Sequence, residues 1–184
     1  SNPSKQFKVT KYQSISKITM LSDSHGHGLR HLLQNQLGEN FAVYSVVKPS
    51  GKCENVVSDL DYEVRELRNN DHLIILSGSN NVDEKSDFNV KEYVKEIAAK
   101  TTNTNVIVCT IPLRYDKPLL NVKIRKKNIE LIIESLKHDH LKVLSLANIP
   151  PRNYSSRGLH LNKWGKHQLC KAMVEKINGK NLNL

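Results

Sequence analysis

Short apolar runs alternate with longer amphipathic stretches along most of this 184-residue chain. The apolar runs are rich in Ile, Leu and Val, as buried strands are, and they lie at residues 15–21, 41–47, 72–77, 105–110 and 141–146. The stretches between them carry apolar residues at intervals of three and four, which predicts helices at residues 29–37, 56–67, 90–99, 119–136 and 163–177. Gly38 is expected to end the first helix in a left-handed conformation.

This alternation predicts an α/β fold, a three-layer α/β/α sandwich around a five-stranded parallel sheet of the flavodoxin-like kind. A chain of 184 residues fits one domain. We place that domain at residues 15–180, after a basic extension at residues 1–14. No linker, internal repeat or low-complexity tract divides the chain, so a single active site is expected.

The chain is strongly basic, with 28 Lys and Arg against 18 Asp and Glu and a formal net charge of +10. Such a charge favours encounter with RNA, DNA or an anionic lipid surface, although it also serves plain solubility. Aromatic residues make up only 5% of the chain, so an aromatic platform for stacking single-stranded nucleic acid is poorly supported. No feature of the sequence indicates the oligomeric state.

Three cysteines stand far apart in the sequence, and an odd number cannot be fully paired within one chain. This favours a reducing, intracellular location, either cytoplasmic or nuclear. The first residues are polar, which predicts no signal peptide, and no apolar run approaches the roughly 20 residues that a transmembrane helix needs.

Small and polar residues follow the predicted strands at the edge of the sheet where ligands bind in such folds. They are Ser22-Asp23-Ser24-His25 after the first strand, Gly51 after the second, Gly78-Ser79-Asn80-Asn81 after the third, and Gly158-Leu159-His160 after the fifth. A serine hydroxyl, backbone N–H groups, an amide side chain and an imidazole are the groups that acyl transfer needs.

These four segments resemble, in order and approximate spacing, the four sequence blocks of the SGNH/GDSL hydrolases, and the resemblance covers nearly the whole chain. It implies the fold of those hydrolases, with Ser24 as the nucleophile and His160 as the general base. It further implies that Ser24 and Gly51 donate backbone N–H groups, and Asn80 its side-chain amide, to an oxyanion hole. The implied substrate is a small acyl ester, with no cofactor and no metal.

Three phrases give a finer resemblance within that superfamily: Leu-Ser-Asp-Ser-His-Gly, Val-Lys-Pro-Ser-Gly and Gly-Leu-His-Leu-Asn. They are similar to the esterase-like domains that insect non-LTR retrotransposons encode. They are also similar to the related RNA-binding domain of the germ-plasm protein Oskar, which has lost the catalytic groups. This resemblance implies either an esterase or a nucleic-acid-binding domain.

The chain departs from the hydrolase pattern at Arg157, where the family usually carries an Asp three residues before the histidine. A carboxylate there would orient the imidazole and stabilise the imidazolium, whereas an inward-pointing cation would lower its basicity. We expect Arg157 to point to solvent and a Ser24–His160 dyad to hydrolyse esters slowly. A site that only binds is the alternative, and His25, Arg114, Arg152 and Arg157 are candidates for the site rim or for anion binding.

Each of these residues also has a simpler structural interpretation. Ser24 could cap a helix, Gly51 could supply a turn, Asn80 could be a turn residue and His160 an ordinary loop histidine. Asp23 and His25 also resemble the opening of a metallophosphoesterase metal motif, but the later ligands that a two-metal site needs are missing from the sequence. Tyr154 and Trp164 are expected to be packing residues.

Overall fold

The computed structural model describes residues 14–83 and 88–179, and its central element is a parallel sheet. The strands are β1 Ser16–Ser22, β2 Phe41–Val47, β3 His72–Leu76, β4 Asn105–Cys109 and β5 Leu141–Leu144. They are hydrogen bonded in the order β2-β1-β3-β4-β5, and every pair is parallel. This is the flavodoxin-like order, and it confirms the predicted fold class. The extension proposed at residues 1–14 lies outside the described residues, except for Ser14.

The helices are α1 Leu29–Leu37, α2 Cys53–Val56, α3 Leu60–Val64, α4 Ser79–Val82, α5 Val90–Lys100, α6 Asn121–Ser135 and α7 Lys163–Ile177. Helices α1 and α7 pack together on one face of the sheet, and α3, α5 and α6 cover the other. Gly38 follows α1 with φ 77° and ψ −165°. Its φ is positive as predicted, but its ψ lies outside the left-handed helical region, so the left-handed cap expected at Gly38 is not formed.

Side chains point alternately to the two faces of the sheet along each strand, and so contribute to the core layers on both faces. On β3, Ile74 and Leu76 contact the α1/α7 layer, while Leu73 and Ile75 contact the opposite layer. All four side chains are almost completely buried. Neighbouring side chains of a strand point to opposite faces, so a run without polar residues is what a sheet covered on both sides requires.

The helix predicted at residues 56–67 is wrong, because the structure divides it into α2 and α3. Lys48, from the loop after β2, binds across the break: its Nζ donates to the carbonyl of Asn55, to Ser58 Oγ and to Asp59 Oδ2 at 2.7–2.9 Å. The Asn55 carbonyl also accepts the backbone N–H of Ser58 at 3.3 Å. The apolar spacing continues across the break, since Val56 and Leu60 are both buried in the same core layer.

The prediction for Trp164 is also wrong, because 63% of its surface is exposed, whereas Tyr154 is buried as expected. Trp164 lies in the first turn of α7, on its solvent side. All three cysteines are free and buried. No helix in the described part of the chain is long and apolar enough to cross a membrane.

Candidate active site

Ser24 lies on a tight turn that leaves the carboxyl end of β1, near the middle of the sheet. The turn is a 3-10 helix, Ser24–Gly26, whose N-cap is Asp23. A side chain at Gly26 would overlap Ser22 Oγ, so the turn packs closely against the end of its own strand. The carboxylate of Asp23 caps this helix by accepting the His25 N–H. The capping role considered for Ser24 therefore belongs to Asp23, and the hydroxyl of Ser24 makes a different contact.

A structured loop between β5 and α7 carries His160. The loop contains the 3-10 helix Pro151–Asn153, and an antiparallel bridge joins Tyr154 to Leu161. Asn162 then caps α7, accepting the Gly165 N–H and donating its amide to the carbonyls of Arg152 and Tyr154. These bonds tie both ends of the loop to the start of α7 and so fix the backbone at His160.

Ser24 and His160 are brought together across 136 residues, with 3.0 Å between Ser24 Oγ and His160 Nε2. Partial burial of the imidazole lowers the pKa of His160; electrostatic interactions with His25, Lys166 and His27 act in the same direction, and Asp23 opposes them. A lowered pKa keeps the imidazole neutral near pH 7, the form that can accept a proton. Within the described residues the other ring nitrogen, Nδ1, has no hydrogen-bond partner.

A buried acid–imidazole pair lies directly beneath this contact. Asp23 Oδ1 accepts both the backbone N–H of His25 and a hydrogen bond with its Nδ1, each at 2.9 Å. On the opposite side of the ring, His25 Nε2 lies 3.2 Å from the carbonyl oxygen of Leu159. Since a carbonyl only accepts, Nε2 carries a hydrogen. The ring of His25 also lies 5.0 Å from that of His160.

His25 was expected at the rim of the site or as an anion-binding group. It does line the cavity over Ser24, but only 5% of its surface is exposed, and both of its ring nitrogens have protein partners. Its hydrogen bond to Leu159 joins the turn after β1 to the residue just before His160. Sequence reasoning missed this contact, because the partner is a backbone carbonyl 134 positions away and has no sequence signal.

Gly51 and Asn80 also meet, at the ends of β2 and β3. Asn80, in α4, donates from its side-chain Nδ2 to the carbonyl of Gly51 at 2.8 Å. The Gly51 N–H, expected to serve an oxyanion, instead donates to the carbonyl of Lys48 at 2.9 Å. The turn before α2 requires this bond, so that N–H is already engaged. The side-chain nitrogen of Asn80 has two hydrogens, and the second remains for a ligand.

A cavity of about 410 Å³ opens over the serine and is lined by Ser24, His25, His27, His160, Leu161 and Lys166. Gly51 and Asn80 are not among its lining residues. His27 is exposed at its mouth, and Lys166, in the first turns of α7, is half-buried. Sequence reasoning missed Lys166, although α7 begins three residues after His160 and directs its early turns toward the same edge of the sheet.

Solved structures with the same architecture include enzymes named for ester hydrolysis. The chain superposes on a lipase/acylhydrolase from Enterococcus faecalis with a TM-score of 0.71 and 19% identity, covering 89% of this chain and 96% of that one. A GDSL-like lipase from Bacteroides thetaiotaomicron gives a TM-score of 0.71 and 13% identity, covering 89% and 88%. The chain has the fold of the GDSL-type hydrolases.

The aryl esterase of M. smegmatis is similar to the same extent, with a TM-score of 0.71, 14% identity and coverage of 89% of this chain and 99% of that one. Neither the search of family models nor the search of curated proteins finds a match to this sequence. At identities this low, the comparison establishes the GDSL-type fold and leaves the chemistry to the residues of the site.

The three arginines considered for anion binding occupy different surroundings. Arg114 is buried and makes two hydrogen bonds to the carboxylate of Asp116, at 2.7 and 2.6 Å. It also forms an ion pair with Asp83 at 3.5 Å, so it is already neutralised and the prediction for it is wrong. Arg152 and Arg157 are exposed, and neither lines the cavity over Ser24. The exposure of Arg157 agrees with the expectation that its side chain points to solvent.

The metal-binding interpretation of Asp23 and His25 fails on geometry. The two side chains bind each other, and the described residues include no group of three His, Cys, Asp or Glu side chains arranged to hold an ion. Cys53 is also unsuited to nucleophilic attack, because burial raises the pKa of its thiol to about 12. The Ser24 hydroxyl, by contrast, is in contact with an imidazole.

Proposed function

We propose that this chain is an ester hydrolase of the SGNH/GDSL superfamily in which Ser24 is the nucleophile and His160 the general base. The observation that carries the proposal is the 3.0 Å contact between Ser24 Oγ and His160 Nε2. A nucleophile activated by an adjacent base within hydrogen-bond distance is the signature of covalent catalysis. The names of the structures that share the fold, lipase, acylhydrolase and aryl esterase, support the same class of reaction.

The reaction follows from the roles of these two residues. His160 takes the hydroxyl proton as Ser24 Oγ attacks the ester carbonyl carbon, and then gives that proton to the alcohol as its bond to the acyl carbon breaks. Water next attacks the acyl-serine, again giving a proton to His160, and the acid product leaves as that proton returns to Ser24 Oγ. The lowered pKa of His160 favours the neutral imidazole that both attacks require.

The oxyanion in this proposal is stabilised chiefly by Ser24 and Asn80. The Ser24 N–H is the first amide of a 3-10 helix, where a backbone N–H has no partner within the helix. Asn80 offers its second amide hydrogen, while its bond to the Gly51 carbonyl fixes the orientation of the side chain. Gly51 thus takes part by holding Asn80, since its own N–H serves the turn.

His160 has no carboxylate partner among the described residues, and this predicts slow turnover. Replacing the acid of a serine protease triad lowers kcat by about 10⁴-fold, and activity above the background persists without it. In this chain the His25 bond to the Leu159 carbonyl fixes the residue preceding the base. We assign Asp23 and His25 as positioning residues that keep His160 aligned with Ser24.

The finer assignment rests on the three sequence phrases noted above. On that resemblance, the chain is an esterase of the kind that insect non-LTR retrotransposons encode, acting on an acetyl or other short-chain ester. The cavity of about 410 Å³ over Ser24 is compatible with part of a small ester, since ligand pockets for drug-sized molecules begin at roughly 300 Å³.

Turnover of a short-chain 4-nitrophenyl ester by the full chain tests the proposal, with Ser24→Ala as the decisive variant and Ser156→Ala as the matched control. Ser156 is an exposed serine of the His160 loop. Ser24→Ala should lower kcat at least about 10²-fold, and Ser156→Ala should leave it unchanged. A fluorophosphonate should add one covalent adduct to wild type and none to Ser24→Ala. Equal rates in wild type and Ser24→Ala would refute the proposal.

The second candidate function is binding of RNA or DNA on a fold without useful turnover. The +10 charge and the exposed side chains of Arg152 and Arg157 favour it. Phosphate contacts release counterions, so affinity should fall steeply as salt rises. A double variant, Arg152→Gln with Arg157→Gln, should then reduce both the affinity and its salt slope. Affinity that does not change with salt would exclude this function.

A further inference from the structure

Among the described residues, the cavity over Ser24 is lined by basic groups and by no carboxylate. His27, Lys166 and His160 surround the serine, and the nearby acid of the same turn, Asp23, is 1% exposed and bound to His25. Within the described part of the chain neither the His27 ring nor the Lys166 ammonium has an ion-pair or side-chain hydrogen-bond partner. An unpaired, half-buried lysine next to a nucleophile is well placed to bind an anion.

Lys166 and His27 lie on a defined side of the reacting ester. His160 must reach the alcohol oxygen in order to protonate it as it leaves, so the alcohol part of the ester lies on the His160 side of Ser24. The acyl oxygen points instead toward its donors, Ser24 N–H and Asn80. His27 and Lys166 share the cavity with His160, whereas Asn80 does not line it.

Resting on the proposed function, we propose that the Ser24 cavity selects esters whose alcohol carries a negative charge, with Lys166 as the main binding group and His27 as the second. The same serine chemistry operates on such an ester. The charged group of the alcohol takes no covalent part and is held by Lys166 until the alcohol departs with the proton from His160.

Burial is the main cause of the lowered pKa of His160, and electrostatic interactions with Lys166 and His27 add to it. An anion bound between them would oppose that effect and favour the imidazolium that forms in the transition state. Binding an anionic alcohol would thus assist the proton transfer as well as the encounter.

Two acetyl esters of nearly equal shape test the proposal: 4-acetoxybenzoate, with an anionic alcohol part, and 4-acetoxybenzamide, with a neutral one. The rates are measured with the full chain at pH 8.5, where His160 is neutral in every variant. Wild type should have the larger kcat/KM for 4-acetoxybenzoate. Lys166→Gln should lower that value about 10-fold, the factor that corresponds to about 1.4 kcal/mol, and should change the value for 4-acetoxybenzamide much less.

Lys171→Gln is the matched control, because Lys171 is an exposed lysine of the same helix that does not line the cavity. Lys171→Gln should leave the preference for 4-acetoxybenzoate over 4-acetoxybenzamide intact. Raising the salt concentration should reduce that preference in wild type, since ions screen the attraction between Lys166 and the carboxylate of the substrate. A 4-nitrophenyl hydrogen succinate ester, with its charge on the acyl side, should gain nothing from Lys166. No preference in wild type, or a preference that survives Lys166→Gln, would overturn the proposal.

Product binding separates this inference from the proposed function. NMR titration of Ser24→Ala with 4-hydroxybenzoate and 4-hydroxybenzamide measures the anion site without any turnover. Tighter binding of 4-hydroxybenzoate that disappears in Ser24→Ala with Lys166→Gln supports the site, even if no ester is hydrolysed. Equal binding of the two phenols would overturn it, even if Ser24-dependent hydrolysis is found.

Discussion

Replacing Asp23 with Asn should lower both stability and catalytic rate, because it changes how many hydrogen bonds the ring of His25 can donate. Asp23 Oδ1 accepts two hydrogen bonds at once, from the backbone N–H of His25 and from its ring Nδ1, and His25 Nε2 contacts the Leu159 carbonyl. Asp and Asn have almost the same shape, so Asp23→Asn keeps the packing and changes the charge and the hydrogen bonding.

The Asp23→Asn variant must lose one of the two bonds of the His25 ring. The amide oxygen of the new side chain has to remain toward the backbone N–H, and a neutral His25 has a single ring hydrogen. That hydrogen serves either the amide oxygen from Nδ1 or the carbonyl of Leu159 from Nε2, but not both. A hydrogen bond to a charged group contributes about 1.5–3 kcal/mol. For a domain of this size, such a loss lowers Tm by about 3–12 °C, at roughly 2–4 °C per kcal/mol.

The effect on catalysis should exceed the effect on folding. Loss of the bond to the Leu159 carbonyl releases the residue before His160, and a misplacement of about 1 Å can cost on the order of 10²-fold in rate. We expect kcat to fall by roughly 10- to 100-fold, on the order of 1.4–2.8 kcal/mol, with KM little changed. Circular dichroism gives Tm, and steady-state ester hydrolysis well below that Tm gives kcat and KM.

Asp139→Asn is the control, since Asp139 is exposed at the opposite end of the sheet, before β5. It should match wild type in Tm and in kcat. The rate of fluorophosphonate labelling of Ser24 should fall with kcat in Asp23→Asn, because it reports activation of the hydroxyl in a fully folded chain. An Asp23→Asn variant that is less stable but has wild-type kcat and labelling rate would refute the positioning role.

Three further predictions concern His160, its loop and its missing acid. The lowered pKa of His160 means that kcat/KM should stay high until pH falls below the usual histidine value of about 6.5, as a pH–rate profile would reveal; an acidic limb above that value would contradict it. Gly165→Ala should destabilise the fold by about 1–3 kcal/mol in thermal denaturation, because its Cβ would overlap the carbonyl oxygen of Asn153; Lys171→Ala should not. Arg157→Asp should raise kcat about 10-fold by giving Nδ1 of His160 a carboxylate, and an unchanged kcat would exclude that geometry.

The sequence predicted those parts of the fold whose cause is local. Residues 41–47 and 163–177 were predicted with the bounds that β2 and α7 have, because their apolar spacing and flanking residues mark both ends. The break between α2 and α3 could not be predicted in this way. The ammonium of Lys48, from the loop before α2, binds residues on both sides of the break, while the apolar spacing runs on without interruption.

The same distinction holds for the candidate site, where some contacts could be predicted from the sequence and others could not. Ser24 and His160 could be paired from sequence, because both follow strands of one parallel sheet and such residues converge on one edge. The surroundings of His25 and Arg114 could not. Each is buried through partners that only the folded chain brings near, a backbone carbonyl in one case and two carboxylates in the other.

On the proposed function, the contacts of His25 offer a physical reason why Ser24 and His160 could stay aligned without a carboxylate on the His160 loop. The SGNH/GDSL pattern that the sequence resembles usually carries that carboxylate three residues before the histidine. Here the turn after β1 reaches the loop twice, through the Ser24 hydroxyl to His160 and through the His25 ring to the Leu159 carbonyl. Movement of residues 159 and 160 away from Ser24 must break both bonds together, so the alignment of nucleophile and base depends on a buried pair that solvent does not reach. Arg157 is then free of any orienting task and can remain in solvent.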